Sequence, residues 1–78
     1  MTPKLPVISG DDLINALGKF GYVEVRQKGS HVRMRHAVDA QRQPVTVPRH
    51  KVLKCSLLRR VLRETRISVE QLTEALHG

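Results

Sequence analysis

With 78 residues, 40% of them hydrophobic, the chain can build one small core, and its formal charge of +7 comes from 14 Lys and Arg against seven Asp and Glu. A lone cysteine, Cys55, excludes an internal disulfide and fits a reducing compartment. Two aromatic residues, Phe20 and Tyr22, are too few for a base-stacking platform, and no apolar run approaches the roughly 20 residues that span a bilayer.

Residues 1–8 contain Pro3 and Pro6, which predicts an extended lead-in, and they lack the apolar core of a signal peptide. The expectation is a cytoplasmic protein forming a single domain over residues 1–78. Ser9 is a suitable N-cap, with Asp11 and Asp12 in the first turn, where the helix dipole favours negative charge. Leu13, Ile14, Leu17 and Phe20 recur at helical spacing and Gly21 suits a left-handed C-terminal position, so a helix is predicted over about 10–20.

The stretch from Tyr22 to Gln27 alternates, with Val23 and Val25 on one side and Tyr22, Glu24 and Arg26 on the other. Lys28-Gly29 is the expected hairpin turn. His31 to His36 then alternates again: Val32 and Met34 share one face, and His31, Arg33 and Arg35 share the opposite one. A polar loop over about 37–43 leads into Val45-Thr46-Val47, a short strand stopped by Pro48. Leu57, Leu58, Val61 and Leu62 form the stripe of a second helix, with Arg59, Arg60 and Arg63 outside it. Ser68 and Gln71 make a capping box for a last helix carrying Leu72, Ala75 and Leu76. The predicted class is α+β, in the order α-β-β-β-α(-α), with a three-stranded antiparallel sheet and helices on one face.

The charge is concentrated. Residues 22–54 carry eight Lys or Arg and two acids, a net +6 in one contiguous stretch. Such a footprint attracts a polyanion, although a basic segment also serves solubility alone. If the valines and Met34 face the helices, the open face presents Glu24, Arg26, His31, Arg33, Arg35 and Thr46, with Lys28 at the hairpin. Guanidinium groups bind phosphate bidentately, and an imidazole among them is suited to proton transfer near neutral pH. RNA carries its own nucleophile, the 2′-hydroxyl, so one such residue with cationic support suffices to cleave it. An exposed histidine on a polar sheet face also occurs with no chemical role.

Other readings are weaker. His31, His36, His50 and Cys55 do not make a zinc set, because His31 and His36 lie five apart on a strand and point to opposite faces. His50 and Cys55 alone are two ligands where structural zinc takes four. A second basic cluster, Arg49, His50, Lys51 and Lys54, runs toward the next helix start, whose free N–H groups suit a phosphate. No helix-turn-helix with a polar recognition helix is evident. A non-catalytic RNA-binding module would use the same basic strip without needing His31.

Ser9-Gly10-Asp11-Asp12-Leu13, the run from Gly21 to His31, Val45-Thr46-Val47-Pro48-Arg49-His50, Leu53-Lys54 and Ile67-Ser68-Val69-Glu70 together resemble the HicA toxins. The resemblance covers residues 7 to 76, and Arg26-Gln27-Lys28-Gly29-Ser30-His31 is its most specific part. It implies a fold like the double-stranded-RNA-binding domain and a ribonuclease that cleaves mRNA without a metal or other cofactor. It also implies His31 as the catalytic residue and a HicB-type antitoxin that covers the histidine-bearing surface. On this reading RNA meets Arg26, Lys28, Ser30, Arg33, Arg35, Arg49, Lys51 and Lys54, with Lys28, Arg33 and Arg35 orienting the phosphate. The chain departs from the family where Lys54-Cys55-Ser56-Leu57-Leu58 stands for Lys-Pro-Gly-Thr-Leu, and where Arg66 stands for a glycine.

Overall fold

A computed structural model describes residues 4–77, so Met1–Pro3 of the expected lead-in lie outside the described residues. The elements run α1 (Gly10–Lys19), β1 (Tyr22–Lys28), β2 (His31–His36), β3 (Val45–Pro48), α2 (Cys55–Thr65) and α3 (Val69–His77). The sheet is antiparallel in the order β1-β2-β3. The α+β class, the element order and the single three-stranded sheet are those predicted.

Local signals set the helix limits. The Ser9 hydroxyl accepts from the Asp12 N–H at 3.1 Å, and the Asp12 carboxylate accepts from the Ser9 N–H at 3.2 Å. Ser68 and Gln71 exchange the same pair of bonds at the start of α3. Each box satisfies two N–H groups that a helix start leaves without partners. After α1, Gly21 takes a left-handed φ of 95°, and a Cβ there would meet the His36 ring at 2.7 Å.

The core lies between the helices and one sheet face. Val32 and Met34 from β2, and Val45 and Val47 from β3, are buried against Leu13, Ile14 and Leu17 of α1 and Leu58, Val61 and Leu62 of α2. Ile8 and Leu53 extend the core, and the Leu53 N–H donates to the Ile8 carbonyl at 2.9 Å. Thr65, the one buried polar side chain among the described residues, returns its hydroxyl proton to the Val61 carbonyl at 2.8 Å.

The first strand departs from the expected alternation. Tyr22 is only 3% exposed, whereas Val23 and Val25 are 45% and 49% exposed. Cross-strand partners share a face, and the register pairs Tyr22 with His36, Val23 with Arg35, and Glu24 with Met34. Tyr22 and Glu24 therefore lie on the helix side and Val23 on the open side, the reverse of the pattern read from the chain. The register then shifts between Glu24 and Arg26. A bulge inserts one residue and changes the parity beyond it, so Arg26 and Lys28 fall on the open face, opposite Arg33 and His31. The hairpin turn is Gly29-Ser30 rather than Lys28-Gly29, because Lys28 still pairs with His31. Gly29 supplies the positive φ, 60°, at the first turn position, the glycine-first pattern of a type II′ turn.

Candidate functional site

The face of the sheet turned away from the helices carries the basic side chains. Arg26, Lys28, His31, Arg33 and Thr46 surround a shallow hollow of about 220 Å³. Each owes its place to the register: Arg33 stands between Arg26 on β1 and Thr46 on β3, and His31 stands between Lys28 and Pro48. The Arg33 guanidinium donates to the Thr46 hydroxyl at 3.1 Å, which fixes its reach across the sheet. Arg35 continues the row and is exposed. Glu24, expected among these residues, is on the other face, so no carboxylate of β1 or β2 stands in the row.

Two arginines directly opposite one another repel. Among the described residues, neither Arg26 nor Arg33 has a carboxylate in ion-pair range, since the ion pairs join Arg42 to Asp39, and Arg49 to Asp11 and Glu24. The juxtaposition is unfavourable until an anion arrives. A phosphate lying between forked N–H donors relieves it and gains charge-assisted hydrogen bonds.

His31 is exposed at the first position of β2, and its ring packs edge-on against that of His50, with centroids 6.4 Å apart and planes at 73°. This neighbour does not follow from the linear sequence, where His50 belongs with the second basic cluster. The signal that finds it is the pairing of His31 with Pro48, which carries the chain just beyond β3 past the turn between β1 and β2.

The segment holding His50 is fixed from three sides. The Arg49 N–H donates to the Ser30 carbonyl at 2.7 Å, and the His50 carbonyl accepts from the Gly10 N–H at 2.9 Å. The Arg49 guanidinium bridges Asp11 of α1 and Glu24 of β1. Gly10 permits the approach, because a Cβ there would fall 1.9 Å from the Pro48 carbonyl oxygen. Arg49 thus spends its charge on two carboxylates instead of standing with the open cations. Lys51 and Lys54 are exposed, and Lys54 caps α2 through its backbone alone. Ser30 is exposed in the turn, with its carbonyl engaged by Arg49.

His36 is the contrasting histidine. Its Nδ1 accepts from the Val38 and Asp39 N–H groups at 3.2 and 2.8 Å, which assigns the ring proton to Nε2, 2.7 Å from the Phe20 carbonyl. Its ring also meets Tyr22 edge-on, with centroids at 5.3 Å. It holds the sheet to the end of α1 and is turned away from His31. Among the described residues no three His, Cys, Asp or Glu side chains converge as a metal cage would require, and Cys55 stands exposed at the first position of α2.

The chain is thus an α+β domain whose open sheet face sets His31 in a row of cations that, among the described residues, have no carboxylate in ion-pair range. The family model described as the HicA toxin of bacterial toxin–antitoxin systems matches residues 10–67, a span that contains the whole sheet and the row. The chain belongs to the HicA toxin family. It is the toxin of a toxin–antitoxin system, and its partner is an antitoxin. Comparisons with curated proteins and with solved structures give no match. No helix among the described residues is long and apolar enough to cross a membrane.

Proposed function

We propose that this toxin is a metal-independent endoribonuclease that cleaves mRNA, with His31 as its general acid–base residue. The observation that carries the proposal is the position of His31 in the hollow formed with Arg26, Lys28, Arg33 and Thr46. RNA approaches by its phosphates, drawn to a surface on which unpaired cations repel each other. Lys28 and Arg33 orient the scissile phosphate beside His31, while Arg26 and Arg35 hold the flanking backbone. Lys51, Lys54 and the Ser30 hydroxyl, all exposed, are assigned further RNA contacts, and Arg49 contributes through the segment it positions. Attack by the 2′-hydroxyl needs a proton moved and negative charge stabilised at phosphorus, and the hollow offers groups for both. The fold is read as double-stranded-RNA-binding-domain-like, and the toxin as acting in the cytoplasm.

The proposed antitoxin is of the HicB type, with an acidic surface that covers the same face. Complementary charge over this row favours fast and specific association. Purified toxin incubated with labelled RNA in EDTA is expected to cleave it, and His31→Ala is expected to bind RNA, fold normally and leave it intact. Folding is preserved because the side chain is exposed. Binding by the wild type without cleavage would identify a non-cleaving RNA-binding module instead, and loss of cleavage in EDTA would identify a metal-dependent enzyme.

A further inference from the structure

Cleavage of RNA through its 2′-hydroxyl requires two proton transfers at separate places. The 2′-hydroxyl must lose a proton as O2′ bonds to phosphorus. The departing O5′ must gain one as the P–O5′ bond breaks, and these two oxygens lie on opposite sides of the phosphorus. One imidazole serves one side well. The structure has a second imidazole beside the first, and among the described residues neither the core nor a helix cap uses its ring.

We propose that His50 is the second catalytic residue of this toxin, paired with His31 across the scissile phosphate; the inference rests on the endoribonuclease reading. The rings stand edge-on with centroids 6.4 Å apart, and both side chains are exposed, so a phosphodiester can reach both. His50 is also held where it is. Its carbonyl is bound by the first N–H of α1, the preceding N–H is bound by the Ser30 carbonyl, and the Arg49 guanidinium is anchored on Asp11 and Glu24. A helix, a hairpin turn and an edge strand therefore converge to fix the backbone on which this ring stands. The cations Lys28 and Arg33 line the hollow that holds His31, and His50 stands beside it through its ring contact with His31.

The reaction balances within the pair. One neutral imidazole takes the 2′-hydroxyl proton, and the other, entering as imidazolium, gives its proton to O5′. The products are a 2′,3′-cyclic phosphate and a free 5′-hydroxyl, and the two rings have exchanged protonation states. Exchange with water restores them. No other reactant enters.

The test compares wild type, His31→Ala, His50→Gln and His50→Ala on two RNA substrates of one sequence. One has the natural O5′ leaving group, and the other has a bridging 5′-sulfur, which departs as thiolate without needing a proton. The midpoint of thermal unfolding checks folding, and affinity is measured on a 2′-O-methyl version that cannot react. Both His50 variants are expected to fold and bind as the wild type does, and to cleave the natural substrate about 10²–10⁴-fold more slowly, the usual contribution of a proton-transfer group. On the sulfur substrate, whichever of His31 and His50 is the acid becomes dispensable, so the loss vanishes at one position and persists at the other. Wild-type rates in both His50 variants, or a weakened affinity that accounts for the whole loss, would overturn the pairing while leaving His31 in place. Equal losses at both positions on both substrates would also overturn it. A wild-type protein that cleaves neither substrate removes the endoribonuclease reading itself.

Discussion

Arg66 holds a left-handed conformation, with φ 59° and ψ 38°, at the end of α2. A side chain with a Cβ in this region costs about 1–2 kcal/mol, and among the described residues the only side-chain bond that Arg66 makes in return is a long one of 3.4 Å to the Gln41 carboxamide. Arg66→Gly is expected to raise stability by about 1 kcal/mol and the unfolding midpoint by about 4–8 °C, checked by calorimetry. A lowered midpoint would mean that the Gln41 contact outweighs the backbone cost. The departure from the family's glycine, visible in the sequence, thus has a conformational meaning: Arg66 occupies the left-handed position that a glycine would take without strain. Other residues divide in the same way. The exposure of His31 was legible from alternation along β2. The pairing of Arg49 with Asp11 and Glu24 was not, because its partners lie 38 and 25 positions away. His50 was hidden for a related reason: its nearness to His31 depends on register between β2 and β3, which local pattern does not set.

At the scale of elements, the Ser9 cap, the Ser68–Gln71 capping box and the second strand could be read directly, since caps and period-two alternation are local properties. The first strand could not, because one inserted residue changes which side chains face the core, and nothing in Val23-Glu24-Val25-Arg26 marks the insertion. Its most buried member, Tyr22, donates its hydroxyl to the Gln43 carbonyl at 2.8 Å. Burial, aided by Asp39 and Glu64 and opposed by Arg42, raises its pKa above the ordinary tyrosine value. The folded state therefore holds this proton more tightly than the unfolded chain does. The stability it confers is complete below about pH 10 and is lost as pH rises through the raised folded value. Denaturant titrations should show wild-type stability falling over that alkaline range. Tyr22→Phe should remove this component of the fall and cost about 1 kcal/mol at neutral pH through the lost hydrogen bond. An unaltered alkaline decline in the variant would contradict the assignment. The β1–β2 ladder carries an opposite bargain at Arg26 and Arg33, which face each other without a carboxylate. Arg26→Thr is expected to stabilise the domain by about 0.2–1 kcal/mol, the size of a cross-strand pair. The same change should weaken RNA binding and lower the slope of log affinity against log salt by about 1. An unchanged slope would place the RNA track elsewhere.

For the whole molecule, the sequence places most of the net positive charge within residues 22–54, and folding brings part of that stretch onto one surface. Helices α1 and α2 pack on one side of a three-stranded sheet and α3 packs against α1, and the other side is left to solvent with its cations aligned. Concentration of charge was legible; its sorting was not, because Arg49 and Arg42 are drawn into ion pairs while Arg26, Lys28, Arg33 and Arg35 remain outward. The same surface answers to two partners in this account, the RNA phosphates and an acidic antitoxin, so inhibition is competition for one face. The most direct measurement is the chemistry of the RNA ends left by purified toxin in EDTA. The account predicts 2′,3′-cyclic phosphate and 5′-hydroxyl ends from the wild type and intact RNA with His31→Ala. Ends bearing a 3′-hydroxyl, or the same fragments from the His31 variant at an undiminished rate, would contradict it.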